Sequence, residues 1–343
     1  MKVLVTGGAG FIGSNLVHLL IRERPQWNLH VLDALTYAGN IENIHELIDS
    51  GSVAFHKVDI TDRAALEKLF KAEKFDMVFH LAAESHVDRS IHGALPFVMT
   101  NVIGTQNLLD LSMQNKVERF VNISTDEVYG SLADTGLFYE TTPLDPSSPY
   151  SASKAGSDML VLAAHKTHGY NVVMTRCTNN YGPYQFPEKL IPLFITNALE
   201  DKKLPLYGDG LNIRSWIHVQ DHNEALLAVA EKGRPGEVYN IGPDSTGEIT
   251  NKEMTARILS LLGKGEDLIQ RVADRLGHDR RYAVSIEKIQ KELGWSPKIN
   301  IETGLKQTVA WYLENKDWWA RVKAGSYKDF YETNYAKRFK KTA

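Results

Sequence analysis

Two residues four positions apart, Tyr150 and Lys154, have the types needed for acid–base chemistry on a hydroxyl group. On a helix this spacing places both side chains on one face, and Pro149 favours a helix start just before them. A lysine ammonium beside a phenol lowers the pKa of the tyrosine. Such a tyrosine can take a hydroxyl proton while hydride leaves the same carbon. An ordinary exposed tyrosine and lysine are the alternative.

A second polar group, residues 124–127, follows an apolar run at 120–123 that predicts a strand. Open parallel sheets place their chemistry at the carboxyl ends of strands. Thr125 can bond a hydroxyl, and the adjacent carboxyls of Asp126 and Glu127 can act as acid and base if their surroundings separate their pKa values. Oxidation or epimerisation at one carbon needs the tyrosine alone, whereas elimination of water needs both carboxyls. The alternative is a solvated acidic turn.

Glycines at 7, 10 and 13 form a G-x-x-G-x-x-G pattern directly after the first apolar run. Glycines let a pyrophosphate approach backbone amides at a helix N-terminus. Asp33 lies twenty residues after Gly13, where an acid can bond both ribose hydroxyls of adenosine and repel a 2′-phosphate. The pattern therefore predicts NAD in preference to NADP, with a surface turn aspartate as the alternative.

Two other segments could contact the cofactor. Asp59 and Ile60 follow the third predicted strand and could lie beside the adenine, or Asp59 could cap a helix, with Thr61 and Asp62 as rivals for that role. Residues 81–83 are small and apolar, and they could let the chain pass close to the cofactor or form part of the core.

The first half of the chain alternates apolar runs with longer helix-like segments. Runs that are apolar at consecutive positions are typical of parallel strands covered on both faces, and the regular alternation predicts a doubly wound, Rossmann-like α/β domain. The predicted strands are 3–5, 29–32, 53–58, 77–80, 120–123 and 172–175, and the predicted helices are 13–24, 63–72 and 101–115.

After about residue 177 this rhythm ends, and proline, glycine and asparagine become frequent. We predict an NAD-binding domain over 1–177 and a smaller, mixed α/β, mainly substrate-binding lobe over 178–343. Helices are expected at 251–262 and 301–314. A strand at 238–242 could return to the first sheet, so a segment near 213–242 belongs with the first domain.

The bulk composition is that of a globular protein: 343 residues, 43% hydrophobic and 24% charged, with a net charge of −3. These values give no indication of a nucleic-acid or membrane partner, and no apolar run is long enough to cross a bilayer. Cys177 is the single cysteine, which excludes an intramolecular disulfide and fits a reducing cytoplasm. We expect no bound metal.

With these motifs, the chain resembles the extended short-chain dehydrogenase/reductase family of nucleotide-sugar enzymes. The segments that carry the resemblance cover nearly the whole chain: TGGAGFIGSN (6–15), DALTYAGN (33–40), HLAAESHVDRSI (80–91), TNVIGT (100–105), STDEVYG (124–130), SPYSASKA (148–155), RCTNNYGPYQFPEKLIP (176–192), GDGLNIRSWIHV (208–219) and GHDRRYA (277–283). The Thr-Asp-Glu triplet is the most specific, because related epimerases generally lack the acidic pair.

The resemblance implies a lyase that removes water across C5 and C6 of a nucleotide-linked glucose, most closely dTDP-glucose. Tyr150 would accept the C4 hydroxyl proton as hydride goes to NAD, with Thr125 orienting that hydroxyl and Lys154 bonding the nicotinamide ribose. Glu127 would remove the C5 proton, and Asp126 would protonate the leaving C6 hydroxyl. Return of the hydride to C6 gives a 4-keto-6-deoxy sugar and regenerates NAD.

The resemblance also implies the residues that hold each ligand. Those implied for NAD are Gly7, Gly10, Phe11, Ile12, Gly13, Asp33, Thr36, Asp59, Ile60, Leu81, Ala82, Ala83, Thr100, Tyr150, Lys154 and Cys177. Those implied for the substrate are Ser85, His86, Thr125, Asn179, Glu188, Lys189, Leu190, Pro205, Tyr207, Arg214, Asn251, Arg275 and His278. The guanidinium fork of an arginine suits a diphosphate, although Arg214 and Arg275 could instead form surface salt bridges.

Some positions depart from the family or stay open. Leu276 stands where proline is common, and Ser215 where aspartate is common, so the nucleotide base and the sugar are less certain than the reaction. His218 is interpreted as structural. Family members usually form homodimers through two helices, here near 101–115 and 151–168, which could bury Leu108, Leu109, Met159 and Leu162 unless these belong to the internal core.

Three other functions remain open: dehydration of UDP- or CDP-glucose, epimerisation at C4 or decarboxylation on the same fold, and NAD sensing by a non-catalytic protein. The carboxyl pair disfavours the second, and the complete set of catalytic groups disfavours the third.

Overall fold

The structure is a computed structural model that describes residues 1–244, 247–274 and 277–324. Within those ranges twelve strands form three sheets. The strands are β1 (Lys2–Thr6), β2 (Asn28–Asp33), β3 (Val53–Lys57), β4 (Met77–His80), β5 (Arg119–Thr125), β6 (Val172–Cys177), β7 (Asn179–Tyr181), β8 (Leu204–Tyr207), β9 (Ile213–His218), β10 (Val238–Ile241), β11 (Glu248–Thr250) and β12 (Ile269–Val272).

The largest sheet has seven strands in the order β3-β2-β1-β4-β5-β6-β10, and all neighbours are parallel. The strand order changes direction between β1 and β4, which in open α/β sheets leaves a ligand crevice outside the carboxyl ends. The predicted doubly wound α/β fold is therefore confirmed. β5 runs two residues past its predicted end, because Ser124 and Thr125 still pair with Arg176 and Cys177 on β6.

Helices cover both faces of this sheet, which explains why its strands are apolar at consecutive positions. The helices are α1 (Phe11–Glu23), α2 (His45–Asp49), α3 (Arg63–Glu73), α4 (Val87–His92), α5 (Leu95–Phe97), α6 (Thr105–Gln114), α7 (Pro149–His168), α8 (Leu190–Leu199), α9 (Val219–Lys232), α10 (Asn251–Leu262), α11 (Glu287–Leu293), α12 (Ile301–Glu314) and α13 (Lys316–Ala324). Val3 and Val5 pack on the side of α1 and α9, whereas Leu4 packs on the side of α3, α6 and α7.

The helix that carries Tyr150 begins where the sequence predicted. The side chains of Ser148 and Ser151 form a capping box, and Pro149 occupies the first turn. Gly169, with φ of 65°, ends the helix after twenty residues. Because this start is fixed by its cap, the first turn of α7 holds Tyr150 in a defined position against the sheet.

The helix predicted at 101–115 is wrong at its start. The chain is helical from Leu95, and residues Val98–Gly104 wind as a π-helix before α6 begins. The Asn101 side chain accepts a hydrogen bond from the Glu84 amide and donates to the Glu84 carbonyl and the Ser153 hydroxyl. Wide turns of this kind are frequent at functional sites, and this one brings Thr100 to the sheet edge described below.

The second half of the chain builds a separate core around α8, α10 and α12, with two small sheets of order β11-β9-β7 and β12-β8. β9 belongs to the first of these, whereas α9 packs on α1 and β10 pairs with β6 in the large sheet. The division into 1–177 and 178–343 stays a prediction. Across the described ranges, no helix combines the length and apolar character needed to cross a membrane.

Candidate active site

A cleft of about 430 Å³ opens at the carboxyl edge of the large sheet and is lined by residues from both halves of the chain. Its size falls in the usual range for small-molecule sites. Arg275 lies outside the described residues. The other predicted site residues all line this cleft, from Gly7 and Asp33 through Thr125 and Tyr150 to Arg214 and His278.

The glycine loop brings backbone amides to the floor of the cleft. Gly7 has φ of +71°, and a Cβ there would lie 2.7 Å from the Ala82 nitrogen. A Cβ on Gly13 would collide with the Gly7 carbonyl oxygen. Gly10 caps α1 without a side-chain hydrogen bond, so the first amides of α1 face the cleft and suit an anionic pyrophosphate.

Asp33 ends β2 at the rim of this loop and is 7% exposed. Its carboxylate accepts hydrogen bonds from the Ala9 amide at 3.0 Å and the Leu35 amide at 2.8 Å. Burial raises its pKa, and the two amides oppose that shift. Each carboxylate oxygen keeps a further lone pair, so Asp33 can fix the glycine loop and accept ribose hydroxyls at once.

Replacing Asp33 with asparagine is expected to weaken NAD binding by about 10- to 100-fold, the size of one or two hydrogen bonds to a charged group. Calorimetric titration with NAD and with NADP measures the effect. The difference between the dissociation constants of NAD and NADP should decrease, because the variant lacks the negative charge that repels the 2′-phosphate of NADP. An unchanged NAD dissociation constant would contradict the ribose contact.

Asp59 does not cap a helix. Its carboxylate accepts from the amide and hydroxyl of Thr61, both at 2.8 Å, while the Asp62 side chain caps α3 through the Ala65 amide. The sequence left open whether Asp59 caps a helix or contacts the cofactor. The structure shows that Asp62 is the cap. Asp59 instead lines the cleft next to Ile60.

Tyr150 and Lys154 are both buried on one face of α7, and the lowering of the tyrosine pKa by the lysine stays a prediction. The Lys154 ammonium donates to the Ile123 carbonyl at 2.8 Å. The pKa of Tyr150 is raised by burial and by Glu127, and a hydrogen bond with Thr125 opposes the rise.

Asp126 and Glu127 begin a short 3₁₀ turn directly after β5. Asp126 is 2% exposed, and burial together with the Glu127 carboxyl raises its pKa to about 8. The Thr125 hydroxyl donates to Asp126 at 3.3 Å and accepts from the Glu127 amide at 3.2 Å. Asp126 is therefore protonated at neutral pH, which makes it a proton donor.

The cleft also carries the residues predicted for the substrate, and Arg214 lies close enough to Asp126 to oppose the rise in its pKa. Arg214 donates to the carbonyls of Ile213 and Asp279 and lies 4.5 Å from the centre of the Tyr282 ring. Tyr207 donates to Asp88 at 2.9 Å. Tyr207 and Arg214 both line the cleft, so an aromatic ring and a guanidinium face the same cavity.

Glu188 is a further ionisable residue that lines the cleft. Burial raises the pKa of Glu188 to about 7, and its carboxylate is 3.9 Å from His86. The neighbouring Lys189 donates to the Ser85 carbonyl at 3.0 Å. These contacts join the loop after β4 to the loop before α8 across the cleft.

Of the two positions that depart from the family pattern, Ser215 and Leu276, the structure describes only Ser215. The Ser215 hydroxyl is buried and donates to the Tyr282 carbonyl at 3.0 Å, so it supports the strand behind Arg214. Leu276 lies outside the described residues. His218 has the structural role expected for it, because its side chain caps α9 through the Gln220 amide. Leu108 and Leu109 belong to the internal core, whereas Met159 is 48% exposed.

The cleft also contains residues that the sequence analysis missed. Most are neighbours of predicted ones in the same loops, so segment membership was the available signal. Trp216 lies inside the quoted segment 208–219, whereas Phe194 lies two residues beyond the segment 176–192 and no motif marks it. The missed residues include Ala34, Ala38, Gly39, Val58, Glu84, Val87, Asp88, Thr178, Asn180, Gln185, Phe186, Leu193, Phe194 and Trp216.

Comparison with known proteins places this site in context. Residues 4–308 match the family described as GDP-mannose 4,6 dehydratase. A dTDP-glucose 4,6-dehydratase of Neisseria meningitidis serogroup B is 52% identical, over 95% of this chain and 97% of that protein. The structure resembles a dTDP-glucose 4,6-dehydratase of Bacillus anthracis in complex with NAD, with a TM-score of 0.88, 50% identity, and coverage of 94% and 100% of the two chains.

The epimerase fold is also similar, at lower identity. A UDP-glucose 4-epimerase of Thermotoga maritima, solved with UDP-glucose, has a TM-score of 0.86 and 31% identity, with coverage of 92% of this chain and 100% of that one. The fold is therefore common to both activities, and the side chains in the cleft must distinguish them.

Proposed function

This chain belongs to the nucleotide-sugar dehydratase family described as GDP-mannose 4,6 dehydratase, within the extended short-chain dehydrogenases/reductases, and from that premise we propose that it is an NAD-dependent dTDP-glucose 4,6-dehydratase. It is a lyase that converts dTDP-glucose to dTDP-4-keto-6-deoxyglucose. The observation that carries the proposal is the convergence of the Tyr150 phenol and the carboxyls of Asp126 and Glu127 in one cleft.

The glycine loop and Asp33 fit NAD, because open amides face the cleft and a carboxylate marks its adenosine end. When bound, NAD accepts a hydride from C4 of the hexose and later returns it to C6. The residues that would hold it are Gly7, Gly10, Phe11, Ile12, Gly13, Asp33, Thr36, Asp59, Ile60, Leu81, Ala82, Ala83, Thr100, Tyr150, Lys154 and Cys177.

Tyr150 acts as the base for the C4 hydroxyl. Its hydrogen bond with Thr125 places a second hydroxyl beside the phenol, where Thr125 orients the C4 oxygen. The positive charge of the buried Lys154, held next to β5 by the Ile123 carbonyl, favours loss of that proton. Its ammonium would also donate to the nicotinamide ribose of bound NAD. These groups produce the C4 ketone.

The ketone makes the C5 proton acidic, and the two carboxyls divide the elimination between them. Glu127 removes the C5 proton, and the protonated Asp126 gives its proton to the C6 hydroxyl, which leaves as water. Glu127 thus gains the C5 proton while Asp126 loses its own proton to the departing water, so the total charge of the two carboxyls is unchanged and the elimination is balanced. This step separates a dehydratase from an epimerase of the same fold, which has no use for the pair.

For the nucleotide, we propose that Arg214 and Arg275 bind the diphosphate, with Tyr207 near the base. The other residues that would bind substrate are Ser85, His86, Thr125, Asn179, Glu188, Lys189, Leu190, Pro205, Asn251 and His278. We further propose a cytoplasmic homodimer through the helices near 101–115 and 151–168, where Ile103 and Met159 are exposed.

Purified enzyme mixed separately with dTDP-, UDP- and CDP-glucose tests the function. We expect dTDP-glucose to turn over fastest and to give the absorbance that a 4-keto sugar develops in alkali. Formation of dTDP-galactose without that signal would make the chain an epimerase. Binding of NAD without turnover of any of the three sugars would make it a non-catalytic sensor.

A further inference from the structure

A buried ion pair lies one helical turn beyond the catalytic lysine. Asp158 follows Lys154 by four residues on α7, so the two share a face of the helix. The Asp158 carboxylate accepts from the Arg176 guanidinium at 2.9 Å, and the two side chains are 0% and 3% exposed. Neither residue lines the cleft, so the pair contacts no substrate directly.

Lys154 needs a counter-charge because it is buried. An ammonium without a partner in the interior tends to lose its proton, and burial lowers the pKa of Lys154. The hydrogen bond to the Ile123 carbonyl supplies an acceptor but no charge. Asp158 is the largest of the influences that raise the pKa of Lys154 again.

Burial raises the pKa of the Asp158 carboxyl, and the Arg176 guanidinium on its other side is the largest influence that opposes this rise. Arg176 is fixed on β6 and also donates to the Tyr129 hydroxyl at 3.0 Å, which itself donates to Asn240 at 2.8 Å. Ser124 lies opposite Arg176 in the sheet, one residue before Thr125. The order of charges is therefore ammonium, carboxylate, guanidinium, directly beneath the catalytic residues.

We propose that Asp158 is a positioning residue for the reaction: its carboxylate, anchored by Arg176, keeps the Lys154 ammonium charged on the helix face that it shares with Tyr150. The inference rests on the proposed function, in which Lys154 acts on Tyr150 and the nicotinamide ribose. Removing the anion leaves two buried cations, which disfavours protonated Lys154. Removing the guanidinium leaves one cation and one anion, which favours it.

Other titratable groups lie around Lys154, and any of them that changes charge near neutral pH also affects the pH dependence. From β4 and β6, His80 and Cys177 have pKa values of about 3 and 12, both set mainly by burial, so neither changes charge near neutral pH. From the end of β5, Asp126 has a pKa of about 8 and does titrate there. On α7 itself, Tyr150 has a pKa well above its usual value.

The test therefore uses the Asp126→Asn background, in which C4 oxidation proceeds without the interfering carboxyl. The rate of NADH formation in a single turnover of dTDP-glucose, and the NAD dissociation constant, are measured against pH. As the pH rises, NADH formation and NAD binding should both weaken when Lys154 loses its proton, and we call the pH of this fall the alkaline limit. Asp158→Asn should move this limit to lower pH by about one to three units, the size expected for loss of an adjacent opposite charge. Arg176→Gln should move it to higher pH, and the double variant should lie between the two.

A purely structural role of the ion pair cannot produce shifts in opposite directions. General destabilisation of the fold would move the alkaline limit of both variants in the same direction. Shifts of equal sign, or no shift in either, would overturn the proposal. If Asp158→Asn does not fold, the direction of the Arg176→Gln shift decides alone. Asp221→Asn is the matched control: this buried carboxyl accepts from the Lys298 and Ile299 amides away from the cleft and should leave the limit unchanged.

The NAD measurement separates this inference from the proposed function. Failure of wild-type enzyme to oxidise dTDP-glucose would remove the function, whereas the pH dependence of NAD binding would still report the charge of Lys154. A normal wild-type turnover with no opposite shifts would remove the inference alone.

Discussion

Replacing Glu127 with glutamine is expected to abolish exchange of the C5 proton with solvent and to lower turnover by about 10²- to 10⁴-fold, the contribution typical of a positioned general base. The amide keeps the size of the side chain and its place after β5 but cannot accept a proton. Oxidation at C4 depends on Tyr150 and Thr125, so it should continue. The variant should therefore accumulate NADH bound to the protein, together with the C4 ketone.

The exchange is measured by incubating the enzyme with dTDP-glucose in deuterated water and analysing the recovered sugar by mass spectrometry. Glu127→Asp is the informative companion, because it keeps a carboxylate on a shorter side chain and should retain part of the exchange. If exchange in Glu127→Gln equals that of the wild type, another residue is the base, and the assignment of Glu127 is wrong.

Replacing Asp126 with asparagine should stop the elimination at the next stage. The C6 hydroxyl then has no proton donor, and turnover should fall by about 10²- to 10⁴-fold. Because Glu127 is intact, C5 exchange should persist in this variant while water is not lost. The two carboxyl variants thus divide the reaction between proton removal and departure of the hydroxyl.

The pH dependence of the wild type follows from the same group. Asp126 donates its proton only while it is protonated, and its pKa is about 8, raised by burial and by Glu127. The rate of dehydration should be constant below that pH and should fall about tenfold for each pH unit above it, because the fraction of protonated Asp126 declines. The fall should be absent from the residual activity of Asp126→Asn. A wild-type rate that is flat from neutral pH to well above this pKa would contradict the role of Asp126 as the acid.

The large sheet could be predicted from the sequence because each of its strands is marked locally. The first six strands are apolar at consecutive positions and are separated by helical segments, so their number, type and parallel direction follow from short windows. The start of α7 was likewise marked by Pro149, and the Ser148 capping box was found only in the structure. The return of β10 to this sheet could be suggested but not placed, since its partner β6 is remote in the sequence.

The details that determine the chemistry depend on contacts between distant residues. The spacing of Tyr150 and Lys154 shows that they share a helix face, but the ammonium points to the Ile123 carbonyl, 31 residues away. The raised pKa of Asp126 comes from burial that is complete only when the second half covers the cleft. The π-helical turn before α6 depends on the bonds of Asn101 to Glu84 and Ser153. Local pattern carries none of this information.

The seventh strand of the large sheet has a consequence for how the polypeptide is made. Because β10 covers the outer edge of β6, that edge stays open until translation has passed Ile241. An open, apolar edge is a template for pairing with other chains. A fragment that stops at Cys177 would therefore leave the outer edge of β6 unpaired, so we expect it to associate with other chains more readily than the full-length protein.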